Sequence, residues 1–162
     1  MLDLDIPFAS NTLATNTTTL LFTRIATRYP TLGITPDTHF IKAVQQMPTR
    51  YRPWRSVAII RSKTDPMYEQ LFRYDRWPVS RYITNPVFAN GELPAVQEMD
   101  EPALVQALRA MLNLNITAED FLVRPAGILY IGGEQRPNWR LTAAPNSPFW
   151  YADSVVWLHT PP

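Results

Sequence analysis

An α+β fold is predicted for this 162-residue chain, as two similar small units, each one helix packed on a short antiparallel sheet. Three observations predict it. Two stretches carry apolar residues at helical spacing. Several short runs rich in Val, Ile and aromatics lie between Pro, Gly and Asn-Gly turn signals. The order of these features repeats along the chain.

Residues 1–12 read as an irregular N-terminal arm, extended at Asp5-Ile6-Pro7 and cap-like at Ser10-Asn11-Thr12. The first unit spans 13–83. Its helix covers 13–28, with Leu21 and Ile25 four apart, and stops at Tyr29-Pro30 because proline disfavours helix at the residue before it. Thr35-Pro36-Asp37 is a turn. The apolar His39-Phe40-Ile41 follows, then a polar, basic loop over 45–53. Strands are expected at 54–61 and 68–76, with a turn at Asp65-Pro66 between them. Residues 84–99, rich in Pro and holding Asn90-Gly91, have linker composition.

The second unit spans 100–162. Asp100-Glu101-Pro102 opens a helix, since acids and proline both suit a first turn. Leu104, Leu108, Met111 and Leu112 form its apolar stripe, and it ends near Asn113. Phe121-Leu122-Val123 and Ile128 to Ile131 are short strand candidates. Gly132-Gly133 turns into a strand at 139–142, and one last strand covers 150–159.

Helix one leads into GITPD and helix two into LNITAED. Trp54-Arg55 and Trp139-Arg140 each start a strand, and a proline turn follows at Pro66 and Pro148. Tyr68 and Tyr74 are separated by five residues, as are Tyr151 and Trp157. That spacing puts both rings on one face of a strand, so each pair is expected to clamp helix to sheet. The repeat unit is then roughly 60–75 residues.

The composition excludes several classes. Net charge is +1, so no global field steers the chain to nucleic acid or a membrane. There is no Cys, hence no disulfide or thiolate chemistry. No apolar run approaches the ~20 residues of a bilayer span, and MLDLDIPFAS lacks the basic region of a secretory signal. Against 16 Pro there are 5 Gly, whereas cradles for phosphates and cofactors usually use glycine. No cofactor is implied.

Few residues invite chemistry. His39 reads as a partly buried edge residue and His159 as an exposed one near the end of the sequence. Neither has the companions a metal site requires. The acid pairs Asp3/Asp5 and Glu119/Asp120 show no opposed environments of the acid–base kind, and the second reads as a helix or turn cap. No catalytic residue is expected. Arginines and aromatics interleave twice, at Arg50, Tyr51, Arg52, Trp54 and Arg55 and at Arg73, Tyr74, Arg76, Trp77, Arg81 and Tyr82. This composition serves single-stranded nucleic acid and also protein hot spots. A near-neutral chain favours the second, with Arg50, Tyr51, Arg52, Arg76 and Trp77 as interface residues and nucleic acid an unlikely partner.

The segments ALRAMLNLNITAEDFLV and WRLTAAPNSPFWYADSVVWLH resemble a small helix-plus-strands module in virion structural proteins of phiKZ-like jumbo tailed phages. Leu114 to Asp120 matches the module's step out of the helix, while Leu141-Thr142-Ala143 and Asn146-Ser147 match its strand pair. Tyr74 to Val79 resembles its closing segment. The module's glycine after Tyr is missing, with Asp153 and Gln70 nearby instead. The resemblance implies a non-enzymatic virion component of tail, baseplate or neck. Its partners would be other virion proteins or its own copies, assembled in the host bacterial cytoplasm. The alternatives are a capsid-associated structural protein and a nucleic-acid-associated binding protein.

Overall fold

Helix α1 covers Thr17–Arg28 and buries Thr17, Leu21 and Ile25, spaced four apart on one face, together with Phe22. It belongs to a computed structural model that describes residues 1–4, 17–47, 50, 54–82, 101–112 and 117–159. The expected helix start at 13–16, the linker 84–99 and the stretch 160–162 lie outside the described residues. The helix stops where expected: Tyr29 makes its last backbone bond, to Ile25 O (2.7 Å), and Pro30 opens a single 3-10 turn.

Beyond the turn, three antiparallel strands form a meander: β2 (His39–Gln46), β3 (Arg55–Ser62) and β4 (Glu69–Asp75). The register of β2 shifts between Ile41 and Ala43. Strand β2 is longer than the apolar triplet at its start. Gln45 and Gln46 are paired strand residues, not loop. Pro48, Thr49 and residues 51–53 lie outside the described residues.

The N-terminal arm is partly sheet. Leu2–Asp3 form β1, which adds parallel to β4, and Leu4 is buried. Sequence reading missed β1 because two residues have no periodicity. Besides its ladder with β4 and the burial of Leu4, ion pairs hold it. Asp3 bonds Arg73 and lies 3.0 Å from Arg55, which also reaches Asp75 (3.3 Å).

Chain then continues through β5 (Trp77–Pro78) into a single helical turn, α2 (Val79–Tyr82). Helix α3 covers Glu101–Leu112, with Leu104 and Val105 buried. The side chains of Leu108, Met111, Leu112 and His159 lie outside the described residues. A second meander follows, of β6 (Phe121–Ile131), β7 (Glu134–Ala143) and β9 (Val156–His159), with β7 central.

The two short strands expected within 121–131 are one strand. A bulge between Pro125 and Ile128, with Gly127 at φ 90°, joins them. Gly132 (φ 59°) and Gly133 (φ 85°) are the two central residues of the β6–β7 turn, and positive φ at both is what a two-residue hairpin of this twist requires. The strand expected over 150–159 is two. Trp150–Tyr151 form β8, which pairs parallel with β5, and only β9 joins the second meander.

The fold is therefore mixed α+β, as expected, but its halves do not have separate cores. One buried cluster includes Leu21, Ile25, Phe72 and Tyr74 from the first half and Leu104, Phe121, Leu141 and Trp150 from the second. Tyr74 is buried as the aromatic spacing predicts; Trp157 is 51 % exposed. The spacing argument failed there because Tyr151 and Trp157 belong to different strands.

Truncating a buried aromatic costs ~3–5 kcal/mol, and surface changes ~0.5 kcal/mol or less. Tyr74→Ala is expected to lower urea-denaturation stability by about the former amount and Trp157→Ala by about the latter. A second expectation concerns pH. The hydrogen bond from Arg73 is the main cause that holds the Asp3 carboxyl below its ordinary value, with the charges of Arg73 and Arg55 adding to it. A depressed acid contributes stability above its unfolded pKa, and that contribution disappears as pH falls through the folded value. Acid titration of stability below roughly pH 4 should thus be shallower in Asp3→Asn than in the native chain.

Candidate functional site

Arg76 leaves the end of β4 and turns inward. It is only 3 % exposed. Its Nε donates to Ser56 Oγ (2.7 Å), and its Nη1 lies within bonding distance of three carbonyls, of Pro145 (3.0 Å), Ser147 (3.1 Å) and Trp150 (3.2 Å). The guanidinium also lies 5.5 Å from the centre of the Tyr151 ring. Among the described residues no carboxylate lies within ion-pair distance of it. Burial lowers its pKa from the usual arginine value, which is the cost of a cation solvated by dipoles instead of a counter-ion.

Two of the carbonyls belong to a tight loop between β7 and β8, and the third, of Trp150, to the first residue of β8. Ser147 shapes that loop by accepting the backbone N–H of Phe149 (3.3 Å) and Trp150 (3.0 Å) on its hydroxyl oxygen. The same hydroxyl donates to Asp120 (2.6 Å). Asp120 is 1 % exposed and also accepts from Thr117 Oγ1 (2.7 Å) and from Thr17 Oγ1, which lies 2.9 Å from each carboxylate oxygen. The network thus runs from α1 through Asp120 and Ser147 to Arg76 and β3. Buried polar links of this kind favour one arrangement of the segments they join.

Aromatics surround this network. The backbone N–H of Trp77 donates to Phe149 O (2.8 Å), and the Trp77 ring lies 5.0 Å from Phe149 and 5.9 Å from Trp150. Phe121 meets Trp150 edge-on at 5.3 Å. Tyr74 donates its hydroxyl to Pro148 O (2.7 Å), and burial pushes its phenol well above the usual tyrosine range. Asp153 accepts from both the backbone N–H (2.9 Å) and the hydroxyl of Ser80, at the start of α2.

A cleft of about 340 Å³ opens beside the loop, lined by Val44, Gln46, Arg76, Pro145, Tyr151 and Ala152. Gln46 Nε2 donates to the Tyr151 hydroxyl (2.6 Å). A second cleft, of about 220 Å³, lies over Asp120 and is lined by Thr17, Glu119, Asn146 and Ser147 among others.

The expected interface residues divide. Arg50 is exposed, and Tyr51 and Arg52 lie outside the described residues. Arg76 and Trp77 are a correction: both are buried, at 3 % and 6 % exposure, and bind the second half of their own chain. Trp and Arg interleave at a seam inside a protein just as they do at a seam between proteins, so composition cannot separate the two. Asp120, read as a helix or turn cap, does receive its local Thr117 but also ties down α1, 103 residues distant. No periodic signal could have found that pairing. His39 matches its expectation: half-buried on the edge strand β2, bonded to Thr38 Oγ1 (2.7 Å) and edge-on to Tyr68, with burial lowering its pKa. Among the described residues no group of three His, Cys, Asp or Glu is placed to hold a metal, and no helix is long and apolar enough to cross a membrane.

Lysine keeps the charge of Arg76 but lacks the planar fork that serves Ser56 and the carbonyls together. Arg76→Lys should therefore cost about 1–3 kcal/mol in chemical denaturation, from acceptors left unpaired in the core. No protein-family model, curated protein or solved structure matches this chain.

Proposed function

We propose that this chain is a non-enzymatic structural subunit that assembles with other protein chains or with its own copies. The resemblance to phiKZ-like virion proteins points to the tail, baseplate or neck of a phage particle, put together in the host bacterial cytoplasm. The observation that carries the reading is the outer half of the β6–β7 hairpin. Strand β9 pairs only with Asn138–Leu141, so among the described residues the hairpin beyond Pro137 has no third strand. Ile128 and Tyr130 lie two apart there, on one face, at 59 % and 71 % exposure. Large apolar side chains on a projecting ribbon fit a surface that another chain covers.

The two halves are read as copies of one module. Each has a helix, a Thr-led turn and a three-stranded meander with its second strand central. Each meander starts on an equivalent pair, His39 with Ser62 and Phe121 with Ala143. The next residue then bonds back in both: Lys63 N to Thr38 O (2.9 Å) and Ala144 N to Asp120 O (2.7 Å). This alignment sets Trp139 against Ala58, not against Trp54 as the sequence echo has it.

One observation favours a second reading, nucleic-acid association. Arg124 and Arg140 are direct cross-strand partners, both exposed, and Trp157 is next in the row. Like charges placed opposite each other are unfavourable alone, and an adjacent ring suits a stacked base.

Native sedimentation of producing-cell extracts should find the chain in a complex far above its own 18.6 kDa. Replacing Ile128 and Tyr130 together by Ser should release it as monomer, with stability changed by only ~0.5 kcal/mol per exposed site. A chain that stays monomeric with its partners present overturns the assembly reading. Steeply salt-dependent DNA binding, lost on replacing Arg124 and Arg140, supports the second reading instead.

A further inference from the structure

The guanidinium of Arg76 is incompletely used. Its Nε and Nη1 serve Ser56 and the three carbonyls, but its Nη2 has no hydrogen-bond partner among the described residues. The buried carboxylate of the same network, Asp120, is occupied by the hydroxyls of Thr17, Thr117 and Ser147. Arg76 lines the 340 Å³ cleft, and so does Tyr151. The Tyr151 hydroxyl accepts from Gln46, which leaves its own proton with no acceptor among the described residues. Two residues lining one cleft thus each keep a spare donor, one of them on a buried cation with no carboxylate at ion-pair distance among the described residues. The remaining lining, from Val44, Pro145 and Ala152, is apolar.

The geometry points to this cleft as a binding site for a carboxylate carried on a small apolar body. The carboxylate accepts from Arg76 Nη2 and from the Tyr151 hydroxyl, while the body lies against Val44, Pro145 and Ala152. Planar carboxylate suits a guanidinium edge, and bonds between ionised groups are the strong ones. An anion here also supplies the counter-charge that the loop dipoles only approximate. The acid has two possible sources, a free small carboxylic acid or the carboxyl terminus of another protein chain. The site is independent of the assembly reading.

Thermal melting of the full chain tests this, with isobutyrate and its neutral analogue isobutyramide at equal ionic strength. Isobutyrate at ~100-fold its Kd should raise Tm by about 5–10 °C, and isobutyramide should not. Ala152 is exposed, so Ala152→Leu can fill the cleft from its rim without touching Arg76, and should abolish the rise. Tyr151→Phe should weaken isobutyrate by roughly tenfold while keeping the charge. A tripeptide ending in a free Val carboxylate, compared with its C-terminal amide, separates the sources. Tighter binding of the peptide acid than of isobutyrate assigns a protein terminus, and the reverse assigns a free acid. No rise with either acid, an equal rise with the neutral amides, or a full rise in Ala152→Leu overturns the proposal.

Discussion

One buried cation organises this protein. The Arg76 guanidinium lies where two three-stranded meanders meet, and it is solvated by backbone carbonyls of the β7–β8 loop and the start of β8. Removing a charge from water is expensive unless the site supplies dipoles at bonding distance. The loop must therefore hold its carbonyls inward, and it can do so because Ser147 closes it from within. The short parallel pair of β5 and β8, the Trp77–Phe149–Trp150 cluster and the Tyr74 bond to Pro148 all form around that placement. An apolar residue at position 76 would leave three inward carbonyls without this donor.

Asp120 balances Arg76 from the other side of Ser147. The two charges do not touch; they share a serine, one at its hydroxyl and one at its carbonyl. This arrangement accounts for the single core. Hydrophobic burial alone is indifferent to which helix lies against which sheet. A carboxylate that must find Thr17, Thr117 and Ser147 together permits only one docking of α1. The polar network selects the arrangement and the apolar cluster around it supplies the stabilising area.

The sequence made the local elements legible. Helices α1 and α3, strands β3 and β4, and the Gly132-Gly133 turn follow from periodicity and turn chemistry, which act within a few residues. It did not reveal what closes the structure. Strand β1 is two residues long, and β8 separates from β9 only because Trp150 and Tyr151 pair with Trp77 and Pro78. Arg76 and Trp77 are informative in the other direction. Their composition suits a contact between chains, but they bind the second half of their own chain, in a segment about 70 positions downstream. Such a pairing has no signature in either segment alone.

The parallel seam also governs the order of events during synthesis. Contacts with large sequence separation form late because their loop-closure entropy must be met before they contribute. The first meander is complete once Asp75 has been made, yet the bonds of Tyr74, Arg76 and Trp77 to residues 145–151 wait until that segment leaves the ribosome. Over that interval the nascent chain shows an aromatic edge with a hydrated cation beside it, still to be stripped of its water. Exposed surface of this kind is what chaperones hold and what drives premature association. The two halves are therefore obliged to finish together, and a chain released early is left with its adhesive edge uncovered.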